Sequence, residues 1–395
     1  MDFKKILAKI TPTEEEKQNM LKIVKEILNK LAIKDAVVSL GGSGAKDTWL
    51  RNSNEIDIYV RFNYNKFKDD DSEISKILGN ALRKKFKNIT RLHGSRDYYQ
   101  IKYKDFTIEA IPILDINEPE QARNITDISK MHVDYVLKHY RFSKDIRLAK
   151  AFAKANNIYG AESYISGFSG YLLELLIIHY KGFMNLIKNA SKWKLKTIIG
   201  NEADVKTLNE SKLGSLIFLD PVQNSRNAAA ALSKEKYEEF INICKTFVKN
   251  PSDIFFEIKE KKIPKNSIVI SFETLHEKKD IAGAKFVKAF RFIQTQLELE
   301  GYKIINKDWK WGGEKGIYWF LLKENKLDSL IKVNGPPIKF HKDLEKFKEK
   351  HKEIFISKGK SFAFVEREFP NVNDFIKSLF KLSNVKDHVR SIKII

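Results

Sequence analysis

A single cysteine, Cys244, stands in the 395 residues, and that scarcity excludes both a disulfide framework and a zinc site built on thiolates. No run of about twenty apolar residues occurs, so no segment reads as membrane-spanning. The longest apolar stretch, Tyr171 to Ile178, is far too short and is interrupted by Glu174. Met1-Asp2-Phe3-Lys4 opens no secretory signal, because no apolar core follows the lysines. Internal repeats and a low-complexity tail are also missing. Acid is in deficit: 51 Asp and Glu face 72 Lys and Arg, a formal net charge of +21. Such an excess implies a polyanionic partner, nucleic acid or an anionic membrane surface, with a solvated lysine-rich surface as the plain alternative. Together these absences favour a cytoplasmic setting and nucleic acid, with no membrane. What is present in quantity is core material: 43% hydrophobic and 12% aromatic residues, in a chain long enough for two or three domains.

The first 140 residues read as mixed α/β. Thr11-Pro12 followed by Glu14 predicts a helix start, and Met20, Ile23, Val24, Ile27, Leu28 and Leu31 recur at helical spacing. Ala36–Leu40 predicts a strand running into a tight Gly41-Gly42-Ser43 turn. Strands are expected at Ile56–Phe62, Tyr98–Tyr103 and Phe106–Ile113, with a hairpin turn at Asp105 and a helix over Ser72–Phe86. From about Ser143 the pattern turns helical: a basic amphipathic helix over Ile146–Asn156, an all-apolar one over Phe168–Tyr180, another over Ser233–Val248. Beyond the lysine-rich stretch ending at Pro264, strands at Ser267–Phe272, Gly316–Leu322 and Ser361–Glu368 and a helix at Ile281–Glu300 predict a second α/β region. Gly335-Pro336-Pro337 reads as a rigid turn, and Trp309, Trp311 and Trp319 as packing. Domains are expected at 1–142, 143–258 and 259–395.

Side chains alternate across a strand, so Glu55 and Asp57 share a face, about 7 Å apart, while Ile56, Ile58 and Val60 enter the core. Two such carboxylates repel unless a cation sits between them. A third acid, Glu109, interrupts the apolar strand Thr107-Ile108-Glu109-Ala110-Ile111-Pro112, where burial is costly unless the acid is paired or metal-bound. A turn-ending Glu55, a solvated Asp57 and a lysine-paired Glu109 explain the same residues without function. The loop ahead of them adds weight. Gly41-Gly42-Ser43-Gly44-Ala45-Lys46 leaves its strand with little side-chain bulk, so backbone amides can approach an anion; Ser43 adds a hydroxyl and Lys46 a charge. A phosphate cradle, then eleven residues between Ser43 and Glu55, then an acid-x-acid strand supply both halves of nucleotidyl transfer, a triphosphate seat and a carboxylate clamp for two Mg²⁺ ions.

The run Gly42-Ser43-Gly44-Ala45-Lys46-Asp47-Thr48-Trp49-Leu50 leading into Glu55-Ile56-Asp57-Ile58 resembles the DNA polymerase beta-type nucleotidyltransferases. With Ile158-Tyr159-Gly160-Ala161-Glu162, Gly167-Phe168-Ser169-Gly170-Tyr171-Leu172, Asp220-Pro221-Val222 and Arg226-Asn227, the chain is similar to the archaeal-type (class I) CCA-adding enzymes. The resemblance implies a mixed-sheet nucleotidyltransferase head, an all-α central domain and a C-terminal α+β domain of ferredoxin or RRM type. It implies template-independent addition of C, C and A to the acceptor end of tRNA, with ATP, CTP and two Mg²⁺ ions, and leaves a homodimer open. Residue by residue, it implies that Glu55, Asp57 and Glu109 are catalytic metal ligands and that Gly42, Ser43 and Lys46 seat the triphosphate. His132, Lys150 and Tyr159 would hold phosphates and sugar, and Arg226 would read the base edge with its planar fork. Lys150 as a solvated lysine, Tyr159 as a core aromatic and Arg226 as an ion-pair partner of Asp220 are the structural alternatives. An A-adding or poly(A)-polymerase-like enzyme, or a weakened RNA-binding relative, are the alternatives in function.

Overall fold

The computed structural model describes every residue except Thr207 and Lys352, in two compact units, Met1–Lys259 and Glu260–Ile395. The first unit holds a five-stranded mixed sheet of β1 (Ala36–Leu40), β2 (Glu55–Asn63), β3 (Ile89–Leu92), β4 (Tyr98–Tyr103) and β5 (Phe106–Asp115). Their order is β1-β2-β5-β4-β3, and only the central β2–β5 pair is parallel. Period-2 alternation sets the face: Ile56, Ile58, Val60 and Phe62 point inward and are buried, packing with Ile23 and Ile27 of helix Glu14–Lys30 and Ile74, Leu78 and Leu82 of helix Ser72–Lys85. Each such side chain contributes about 1.5–3 kcal/mol of burial.

Three local readings change. The helix Glu14–Lys30 is capped by Thr13, not Thr11: the Glu16 N–H donates to the Thr13 hydroxyl at 3.1 Å, and the Thr13 N–H donates to the Glu16 carboxylate at 2.6 Å. A reciprocal Thr-x-x-Glu box outcompetes a start at Pro12. The edge strand β3 is too short to show a clear period, and the helix Phe3–Ile10 is a further element beyond those expected, although Phe3, Ile6, Leu7 and Ile10 recur at helical spacing. Elsewhere the hairpin holds as expected: Tyr103 pairs with Phe106, and Lys104 takes a left-handed φ of 53° in the two-residue turn.

Helices Ser143–Ala155, Gly170–Tyr180, Phe183–Ala190 and Lys234–Lys249 complete this unit around Phe152, Phe168, Phe183, Phe240 and Phe247. Every residue from Leu172 to Ile178 is buried, Glu174 included. The helix expected to be basic and amphipathic keeps Lys144 and Lys154 exposed on one face, but Arg147 and Lys150 are both buried. Buried cations need partners, and the partners of these two lie on other elements.

In the second unit an antiparallel sheet is ordered Ser391–Ile394, Ile268–Glu273, Lys315–Leu322, Ile304–Trp311. The long helix Lys279–Glu300 packs on it through Phe286, which meets Phe272, Tyr318, Trp309 and Trp311; the tryptophans are packing residues, as expected. A three-stranded sheet, Leu330–Pro337, Lys360–Glu366 and Phe355–Ser357, follows. Gly335-Pro336-Pro337 is therefore a bulged strand end and not a turn; a Cβ on Gly335 would lie 2.4 Å from Ser361 Oγ. Among the described residues no helix is long and apolar enough to cross a membrane.

Candidate active site

The parallel pairing of β2 and β5 puts Asp57 directly beside Glu109, and Glu55 two residues earlier on the same face. Asp57 and Glu109 are half-buried and Glu55 is exposed. Burial pushes the Asp57 carboxyl above its usual range, and Glu55 adds to this, against the pull of Lys46 and Lys150. Glu109 is pushed up to about 7 by burial, then by Asp57 and Glu55, although Gln100 donates to it at 3.3 Å. Like charges so crowded resist ionising together, and a divalent cation would relieve them. The donor set, all carboxylate oxygen, is of the kind that hard divalent ions take. Among the described residues no three His, Cys, Asp or Glu side chains close on a single point as they stand, so the acids share a face without forming a finished cage.

The glycine loop forms a one-turn helix, Gly42–Ala45, where a plain turn was expected. It is tied down to β2: the Gly41 N–H donates to the Asp57 carbonyl at 2.8 Å and the Gly42 N–H to the Tyr59 hydroxyl at 3.1 Å. Gly42 has a φ of +53°, and a Cβ there would stand 1.6 Å from Asp57 Oδ2. Only glycine lets the loop and the acid approach this closely. Ser43 sits half-buried in the turn, its carbonyl accepting from the Thr48 N–H at 3.0 Å.

Lys46 and Lys150 converge on one carboxylate that sequence reasoning left without a role. Glu174 is fully buried; Lys46 Nζ reaches its Oε2 at 2.6 Å, and Lys150 Nζ its Oε1 at 2.7 Å. The Thr48 hydroxyl donates to Oε1 at 2.8 Å and accepts from Lys150 at 2.9 Å. Burial alone would raise Glu174, but the two ammoniums prevail and hold it at about 2; burial lowers Lys150 to about 8 despite Glu174. Tyr159 stands beside them: a Cβ on Gly170 would lie 3.0 Å from its hydroxyl and 3.6 Å from Lys150 Cε. Burial, then Glu174, raises the Tyr159 hydroxyl well above its usual range, so it stays protonated. The signal for Glu174 was present, since an acid breaking an apolar run is the pattern that singled out Glu109.

His132 and Arg226 meet at a second buried carboxylate, Asp220, whose Oδ2 is 3.1 Å from His132 Nε2 and 2.6 Å from Arg226. The His132 ring stacks on Tyr171 at 4.0 Å. Burial holds His132 below its usual range, against the pull of Asp220. The expected site residues thus fall into three groups of the first unit: acids with the loop, Lys46 and Lys150 with Tyr159 alongside, and His132 with Arg226. The first two are coupled electrostatically, since Asp57 feels both lysines.

Residues 144–257 match the family model described as tRNA nucleotidyltransferase, second domain, and residues 264–393 that of CCA-adding enzyme, C-terminal domain. The chain is 33% identical to a CCA-adding enzyme of Nanoarchaeum equitans, over 100% of its own length and 99% of the relative's. It is 28% identical to a CCA-adding enzyme of Methanocaldococcus jannaschii, over 95% and 90%. Among solved structures, a cytoplasmic RNA terminal U-transferase aligns at 12% identity and TM-score 0.51, covering 66% of this chain and 98% of that one. The terminal uridylyl transferase Cid1 aligns at 12% and 0.52, covering 67% and 98%. At such identity these two structures speak for the nucleotidyltransferase fold alone.

Proposed function

Because the chain belongs to the CCA-adding enzyme family, we propose that it adds C, C and A in turn to the 3′ end of tRNA, from CTP and ATP, releasing pyrophosphate without a nucleic-acid template. The observation that carries this reading is Asp57 paired in register with Glu109, next to a loop glycine whose Cβ space is filled by the Asp57 carboxylate. A tRNA substrate accords with the charge of +21 and a cytoplasmic setting.

Nucleotidyltransferases of this kind use divalent metal ions, and we assign two Mg²⁺ to Glu55, Asp57 and Glu109. Bound there, they would neutralise the triphosphate and make the attacking 3′-hydroxyl more acidic. The protein's own groups bind and orient. Gly42 and Ser43 offer backbone and hydroxyl donors to the phosphates. Lys46 and Lys150 act on them as two ammoniums sharing one carboxylate, and so present net positive charge already held in place. Tyr159 and His132 contribute donors toward phosphate and sugar. Arg226 reads the base: cytosine N3 and adenine N1 accept a hydrogen bond, whereas uracil N3–H and guanine N1–H oppose a donor.

tRNA transcripts lacking CCA, incubated with CTP and ATP singly and together, test this. Two C additions from CTP alone and a terminal A only after them are expected. Incorporation of ATP onto the bare discriminator base with none from CTP would refute it. Glu55→Gln should retain tRNA binding and lose nearly all incorporation, and residual activity above about a few per cent would overturn the metal assignment.

A further inference from the structure

Asp220 takes no part in the chemistry above, yet it is fully buried and both of its oxygens are occupied. Oδ1 accepts from the Tyr171 hydroxyl at 3.0 Å and from the Val222 N–H at 3.0 Å. Oδ2 faces His132 Nε2 at 3.1 Å and accepts from Arg226 at 2.6 Å. The four groups come from helix Ser129–Lys138, helix Gly170–Tyr180 and the segment after strand Leu216–Phe218. The backbone closes the same turn, with the Asp220 N–H donating to the Arg226 carbonyl at 3.0 Å. Burial would raise this carboxyl, but His132, the Val222 N–H and Arg226 together hold it at about 2, so it stays an anion.

A guanidinium carries its five N–H groups in one plane, so gripping one nitrogen orients the others. We propose that Asp220 is the positioning residue for nucleotide selection, fixing the plane of Arg226 and thereby setting how strictly C and A are preferred. This rests on Arg226 being the base reader. A released arginine must surrender rotamer freedom at every binding event, which penalises the nucleotide that uses its fork. CTP therefore loses more than UTP, whose N3–H never accepted from the fork.

The test measures kcat and KM for CTP and UTP with the full chain and tRNA lacking CCA. Asp220→Asn is expected to raise KM for CTP and cut the CTP-over-UTP preference at least tenfold, with kcat for CTP within about threefold. Tyr171→Phe also removes a bond to Asp220 but spares the grip on Arg226, and should leave the preference within about twofold. A folded Asp220→Asn that keeps its preference overturns the proposal, as does an equal loss in Tyr171→Phe. Should Asp220→Asn not fold, Asp220→Glu keeps the buried charge while displacing the grip by one methylene. Its preference is expected to fall at least threefold, and an unchanged value overturns the proposal equally. Arg226→Gln separates the two levels: if that variant keeps the preference, the base-reading role of Arg226 is wrong, whatever Asp220 does.

Discussion

Glu174→Gln removes the one negative charge on which Lys46 and Lys150 both rest. All three groups are buried, so solvent does little to soften the loss. Breaking a buried ion pair from one side costs about 3–5 kcal/mol, because the abandoned cation keeps its desolvation penalty. The titration of Glu174 leads to a similar figure: a carboxyl held at about 2 against an ordinary 4.5 is worth about 3–4 kcal/mol at roughly 1.4 kcal/mol per pH unit. The pH dependence follows with its sign. A depressed carboxyl contributes stability that is present above about 4.5 and lost as pH falls through about 2. Lys150, lowered from 10.5 to about 8, is neutral above that value in the native protein and charged below it. Without Glu174 it would have to be buried charged, or neutralised, at lower pH still. The deficit of the variant is therefore largest between about pH 4.5 and 8 and shrinks on either side. Scanning calorimetry from pH 4 to 9.5, following the transition of the Met1–Lys259 unit, reads this directly. Glu174→Gln/Lys150→Met should recover part of the loss by removing the stranded ammonium. A deficit below about 0.5 kcal/mol at pH 6.5, or one flat across pH, would refute the reasoning.

Two further substitutions probe the acid face. Gly42→Ala drives a methyl group to 1.6 Å from Asp57 Oδ2 at a φ of +53°, so the loop and the acid must part. It should cost about 1–3 kcal/mol and at least a hundredfold in incorporation, with tRNA affinity retained in a filter-binding assay. Glu109→Gln removes a like charge beside Asp57, so the metal-free protein should gain about 1 kcal/mol in chelator-containing melts while incorporation disappears. A destabilised Glu109→Gln would show that the acids are not in conflict.

What the chain order made legible was whatever repeats at short range. Period-2 alternation placed Glu55 and Asp57 on one face and Ile56, Ile58 and Val60 on the other before any fold was known, and the strand Glu55–Asn63 carries them so. The third acid stood out by interrupting Phe106–Asp115. Register was not legible: that Glu109 faces Asp57, and not a neighbour two residues away, depends on a parallel crossover through two helices and two strands. Nor was the fate of the cations. Lys46 and Glu174 lie 128 positions apart, and the Ser143–Ala155 helix carries a basic pattern although Lys150 is buried. A lysine's burial is decided by whether some distant acid can satisfy it, and local periodicity holds no record of that partner.

The two buried carboxylates have a common consequence for binding. Lys46, Lys150 and Arg226 are cations expected to meet the nucleotide, and each is held by Glu174 or Asp220 at 2.7 Å or less. A long cationic side chain in solvent would lose about 1–2 kcal/mol of rotamer freedom on closing over a phosphate or a base. Here that ordering is accomplished during folding, by anions that the nucleotide never touches. The trade is reduced net charge, since each acid cancels part of what its cations would exert on a triphosphate. For a site that must seat two different nucleotides in one geometry, fixed direction serves better than maximal attraction, because donors already aimed need no reorganisation as charge develops. Substitutions at Glu174 and Asp220 should therefore act through orientation. Their signature would be lost selectivity and raised KM.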